Sequence, residues 1–148
     1  MLGRVFRFFT ESPLAVGLVI VVGVAGPRLY MNFRPADPLP AGFTQYTPEA
    51  FAEAMATDQT LLVDVYASWC PTCKVQHLAL DTLLGVPRFA AVRGFRVDFE
   101  DDEAFVKAHR VVTQSTLLIF RRGKEISRSV GLTWAEDIQR QLDTALLP

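Results

Sequence analysis

Only two cysteines and two histidines occur in the 148 residues. Both cysteines, Cys70 and Cys73, fall in one Cys-Pro-Thr-Cys stretch, so no framework of disulfides can link distant segments. A four-ligand zinc site would need two further ligands, and the chain offers only His77 and His109 beyond the pair. The net charge is −1. Without a basic excess to grip phosphates, no nucleic-acid partner is expected. Repeats and low-complexity tracts are also missing. Long hydrophobic runs are scarce: Leu14 to Ala25 is uninterrupted, but its twelve residues fall short of the roughly 20 that a membrane helix needs.

That run follows an arm carrying Arg4 and Arg7 and stops at Gly26-Pro27-Arg28. Its length fits the hydrophobic region of a signal peptide, and Gly23-Val24-Ala25 offers a small-x-small cleavage site. Leu29-Tyr30-Met31 would instead extend an uncleaved membrane anchor. Both readings stay open, and both place the rest of the chain outside the cytoplasm, in a periplasmic type of compartment where a dithiol has disulfides to act on. Residues 1–28 are therefore assigned to a signal peptide or anchor. Residues 29–42, rich in proline, read as a linker, and residues 43–148 as one folded domain, expected to be a monomer.

Within that domain, Leu61 to Tyr66 is an apolar run with β-branched members and reads as a buried strand. It breaks at Ala67-Ser68-Trp69, and the cysteine motif opens the helix that follows. Pro71 falls where a first helical turn tolerates proline, since that N–H would be unpaired anyway. Val75, Leu78, Ala79 and Thr82-Leu83 recur at helical spacing. Cys70 thus stands at a helix mouth, where free N–H groups and the helix dipole favour a thiolate over a thiol. A thiolate attacks disulfides, and Cys73, one turn on, can resolve the mixed disulfide. Asp64 is a lone carboxylate among Leu, Val and Tyr. Burial would raise its pKa and allow it to exchange a proton with the inner thiol.

The remaining elements follow the same rules. Phe43–Tyr46 is a short strand, and Thr47-Pro48-Glu49 caps a helix with Phe51, Ala54 and Met55 on its apolar face. Phe95–Phe99 alternates as a strand. Glu100 to Glu103 reads as a solvated helix start more readily than as a cation site. Thr116–Phe120 is a second apolar strand, and Arg121–Lys124 turns into the alternating strand Glu125–Val130. Thr133 caps a last helix with Trp134, Ile138, Leu142 and Ala145 at helical spacing. The order β-α-β-α-β-α-β-β-α predicts an α/β fold with a central mixed sheet and helices on both faces.

Val63 to Lys74, Thr116–Phe120 with Gly123, and Val130-Gly131 together resemble the thioredoxin family, above all its exported or membrane-tethered members such as the C-terminal domains of thiol–disulfide interchange reductases. The resemblance covers about residues 43–147. It implies a thioredoxin-like fold and dithiol–disulfide exchange without cofactor or metal, with protein disulfide substrates and an upstream redox partner. It marks Cys70 as the attacking thiolate, Cys73 as the resolving thiol and Asp64 as the buried acid. Trp69, Pro71 and Thr72, with Gln114 and Ser115 from the facing loop, become the expected substrate-binding residues. The family normally has a cis-proline where this chain has Ser115. A cis bond before a residue other than proline costs about 2.5–4 kcal/mol, so a trans bond is expected at Gln114–Ser115. A reductase role is the favoured direction. The alternative is a thiol-based metal-binding or assembly module on the same fold, made more credible by Ser115 beside the two thiols.

Overall fold

The computed structural model describes residues 37–146, together with Val19, Gly23, Ala25 and Gly26, which are helical. The rest of the expected signal or anchor, and of the linker up to residue 36, lies outside the described residues. No helix among the described residues is long and apolar enough to cross a membrane. The compact unit carrying the sheet begins at Asp37. Its elements are β1 (Phe43–Gln45), α1 (Pro48–Met55), β2 (Thr60–Tyr66), α2 (Pro71–Leu84), a 3-10 turn (Pro87–Phe89), β3 (Val92–Asp98), α3 (Glu103–Ala108), β4 (Thr116–Arg121), β5 (Lys124–Val130) and α4 (Ala135–Leu146).

One five-stranded sheet runs in the order β1-β3-β2-β4-β5. β3 pairs in parallel with β1 and β2, while β4 is antiparallel to both β2 and β5. The central strand β2 is buried along its whole length, as its unbroken apolar run requires. Its alternating side chains serve two cores. Leu62 joins Leu80, Leu83, Ile138 and Leu142 from α2 and α4 on one face. Leu61, Val63 and Val65 join Phe51 of α1 and Phe105 of α3 on the other. The β4–β5 turn places Arg122 and Gly123 at φ 51° and 71°. Two successive left-handed residues are what a two-residue hairpin needs to match the strand twist.

Three expectations shift. β3 starts at Val92 rather than Phe95, because Arg93 and Gly94 break the apolar alternation without breaking the pairing. On α2 Ala79 and Leu83 face inward as expected, joined by Cys73, Gln76, Leu80 and Leu84, while Val75 and Leu78 are exposed. Both sets have helical spacing. Periodicity gives the repeat, and the strand packed beneath selects the phase. Trp134, expected on the apolar face of α4, precedes the helix and is 71% exposed.

Gly94 explains how β1 fits. It lies opposite both Phe43 and Leu62, and a Cβ placed on it would come within 2.4–2.7 Å of the Phe43 ring. The ring occupies the volume a side chain would take. Gly94→Ala should therefore destabilise the domain by about 1–3 kcal/mol through overpacking. In a Phe43→Ala background the same change should cost almost nothing, and a double-mutant cycle by denaturant unfolding reads the difference.

Candidate active site

The site forms where β2 ends and α2 begins. Cys70 is the N-cap of α2, with extended backbone angles, and Pro71 occupies the first helical position. The cap atom is sulfur: the Cys73 N–H donates to Cys70 Sγ at 3.2 Å. A Ser or Asp oxygen at this position would satisfy one orphan N–H of the first turn. Here the same geometry delivers a donor to a sulfur that can carry charge. Burial pushes the Cys70 thiol up, but the side chains of Cys73 and Ser115 and the N–H groups of Cys73 and Thr72 outweigh it, leaving the thiol more acidic than usual. Cys73 moves the other way. Burial, then its bond to Cys70, raises it. The two thiols are therefore divided into an acidic outer one and a reluctant inner one.

Both are nearly closed off. Cys70 is 3% exposed and Cys73 0%, so the outer thiol is the more open by a narrow margin. Trp69 next to it is 46% exposed, and Pro71 and Thr72 are exposed. Ser115 completes the cluster, its Oγ lying 3.3 Å from Cys70 Sγ and 3.0 Å from Cys73 Sγ. The Gln114–Ser115 peptide is trans, and Ser115 has φ 57°. Gln114 is half-buried, and its side-chain oxygen accepts from the Thr113 hydroxyl. Among the described residues no group of three or more His, Cys, Asp or Glu converges, so the thiols gain no further ligand of those types.

Asp64 is fully buried on the sheet face that α2 covers. Neither of its oxygens has a hydrogen-bond partner among the described residues. Burial pushes its pKa up to about 7, against the pull of the Arg96 guanidinium. Arg96 lies opposite Asp64 in the β2–β3 register, with Nε 3.9 Å from Oδ2. Its terminal nitrogens are engaged elsewhere, with Nη1 donating to the carbonyls of Asp37 and Pro38 and Nη2 lying 2.6 Å from His77 Nδ1, while Nε has no hydrogen-bond partner among the described residues. The guanidinium also stacks 4.2 Å from the Tyr66 ring centroid, and the Tyr66 hydroxyl donates to Asp37. Arg96 was not legible as a site residue, since alternation alone assigns it to a solvated face. The available signal was Asp64, a buried acid that calls for a nearby positive charge. His77 meets Arg96 through Nδ1. His109 sits among Phe51, Phe105 and Phe120. The acidic stretch caps turns: Asp98 Oδ1 accepts from the N–H groups of Glu100 and Asp101, and Asp102 from that of Asp98.

The sequence profile described as Thioredoxin matches residues 42–144, well over half of the chain. The chain belongs to the thioredoxin family. Its sequence is 33% identical over 84 residues to a thioredoxin of Chlamydia trachomatis serovar D, covering 57% of this chain and 79% of that protein. Thioredoxin-1 of Saccharomyces cerevisiae is 29% identical over 89 residues, 60% of this chain and 84% of that one. The crystal structure of Trxlp from Edwardsiella tarda EIB202 superposes with a TM-score of 0.65 at 39% identity, covering 66% of this chain and 95% of that one. A thioredoxin-family protein with an intact Cys-x-x-Cys pair is a thiol–disulfide oxidoreductase, and the family acts on protein disulfides together with redox partners.

The Asp64 environment has a measurable consequence. Its unfolded pKa is about 3.9, and the folded value lies near 7. Folding thus favours the protonated acid. The associated stability is present below about pH 4 and lost as pH rises through the folded value. Asp64→Asn carries no such dependence. Relative to wild type, the variant should gain on the order of 2–4 kcal/mol between acidic and mildly alkaline pH. Urea unfolding at several pH values measures this. Parallel stability curves would show an ordinary carboxylate.

Proposed function

We propose that this thioredoxin-family protein reduces protein disulfides outside the cytoplasm, with Cys70 as nucleophile, Cys73 as resolving thiol and Asp64 as the buried proton acceptor. One observation carries the assignment of roles. The sulfur of Cys70 caps α2 and takes the Cys73 N–H, while Cys73 lies a turn inside with no exposure. Cys70 thiolate attacks a substrate sulfur, and the other substrate sulfur leaves with the bonding electron pair. Cys73 then loses its proton, for which the half-ionised Asp64 is a suitable acceptor near neutral pH. Its thiolate attacks Cys70, releases the second substrate sulfur and leaves a Cys70–Cys73 disulfide. The dithiol has lost two electrons and the substrate disulfide has gained them. An upstream dithiol partner returns the pair to the reduced state.

Two features support the direction and the compartment. The likeness to thioredoxins supports the direction, since the thioredoxin couple lies at the reducing end, at about −270 mV. The Arg4, Arg7 and Leu14–Ala25 pattern supports export, as a cleaved signal or as a membrane tether. Trp69, Pro71, Thr72 and Gln114 line the approach to Cys70 in this reading and receive the substrate chain.

The exchange roles are tested by trapping. Cys73→Ser should accumulate mixed disulfides with protein substrates through Cys70, and Cys70→Ser should accumulate none. Trapping through Cys73 instead would reverse the assignment. The reduction potential should lie nearer to about −270 mV than to about −120 mV, the reducing and oxidising ends of related proteins. A value near the oxidising end would sink the reductase role. A reporter enzyme active only after export, fused behind residue 148, should be active when led by residues 1–28 and inactive without them.

A further inference from the structure

Ser115 is held in an unusual way for a loop serine. Its backbone is left-handed, a region that side chains other than glycine enter rarely. Both of its peptide groups are fixed within the fold: the N–H donates to the Val65 carbonyl at 2.8 Å, and the carbonyl accepts from the Gly131 N–H at 2.9 Å. The Thr116 hydroxyl closes the loop onto the Thr113 carbonyl at 2.7 Å. The residue is buried by this arrangement, with 4% exposure, and its Oγ lies within hydrogen-bond distance of both sulfurs.

A hydroxyl has one proton to donate and two lone pairs to accept with. Facing a thiolate at Cys70 and a thiol at Cys73, it donates its one proton to the charged Cys70 sulfur, which also takes the Cys73 S–H. When Cys70 becomes bonded to a substrate sulfur, it no longer carries negative charge and is a poor acceptor. The hydroxyl proton is then free to turn towards Cys73, which must itself become a thiolate to finish the reaction.

We propose that the Ser115 hydroxyl is a catalytic donor that serves the two sulfurs in turn, Cys70 before the first attack and Cys73 during the second. This rests on the exchange roles proposed above. No bond to Ser115 is made or broken. Its proton stays on oxygen, the Cys73 proton passes to the Asp64 carboxylate or to the departed substrate thiolate, and the electron pairs move among the sulfurs as already written.

The test uses Ser115→Gly and Ser115→Ala in the full chain. Both remove the hydroxyl and keep the two backbone hydrogen bonds, and glycine also relieves the left-handed backbone, so at least one variant should fold as wild type does. Two quantities are read. Thiolate absorbance against pH gives the Cys70 midpoint. Release of a small aromatic thiol preloaded on Cys70 as a mixed disulfide gives the rate of attack by Cys73. In both variants the midpoint should rise by about one pH unit or more, and release at neutral pH should slow about tenfold, the size expected for losing a hydrogen bond to a charged group. An unchanged midpoint would remove Ser115 from the first step, and a shifted midpoint with unchanged release would remove it from the second. Either result overturns the proposal. Failure of the wild-type protein to reduce any protein disulfide would instead sink the functional reading, since the midpoint and the release rate need no natural substrate.

Discussion

A sulfur atom caps helix α2 where an oxygen normally would, and the rest of the site depends on that substitution. The cap needs an extended residue at the end of a strand, a proline that can begin a helix without an N–H, and an inner residue whose N–H points back. Cys70, Pro71 and Cys73 supply these three things in order. Because the cap atom can ionise, a bond that would elsewhere only end a helix here biases a thiol towards its reactive form. The same bond ties Cys73 to the role of second thiol, since the residue that donates its N–H is held one turn deeper. Structure and reactivity share one hydrogen bond.

The sheet face under α2 tolerates a carboxylate only through a compromise. Asp64 and Arg96 are neighbours across β2 and β3, yet the guanidinium stays 3.9 Å from the carboxylate and directs its donors to Asp37, Pro38 and His77. A tight bidentate pair would hold Asp64 ionised. The looser arrangement leaves desolvation as the larger influence, and the acid sits near the midpoint of its titration at neutral pH. Two of the residues that draw Arg96 aside come from the segment just before β1, and the third, His77, from α2. Asp37 and Pro38, expected in a free linker, are bonded to the domain and help set the charge state of its buried acid.

Some of this was legible in the residues and some was not. The strand–helix junction could be read because each of its parts, the apolar run, the Pro at the first helical position and the cysteine spacing, has a local physical cause. The trans peptide at Ser115 followed from the cost of the alternative. Arg96 could not be read, because alternation places a residue on a face without saying whether that face is covered, and β3 is covered on both. The stripe on α2 held at Ala79 and Leu83 and failed at Val75 and Leu78 for a related reason. Gln76, fully buried with its amide donating to the Leu132 carbonyl, occupies an inward position that a hydrophobicity pattern assigns to Val75 or Leu78. Polar residues made welcome by a single backbone carbonyl are invisible to periodicity.

Ser115 shows how far a family pattern can be carried onto this chain. Proline at that position would lack the N–H that Ser115 gives to Val65, and its ring would fix φ near −65°, whereas the loop here is built at 57°. The serine is therefore not a proline position with the ring removed, because the backbone around it has been rebuilt. Its N–H and carbonyl are spent on Val65 and Gly131, so they bind the fold together and are not left open for an incoming chain. What the loop presents to the thiols is instead a hydroxyl, an atom that proline could never have offered. The departure adds a polar group in contact with the sulfurs. Any difference between this protein and proline-bearing relatives should thus appear first in the sulfur chemistry, and only then in the choice of substrate.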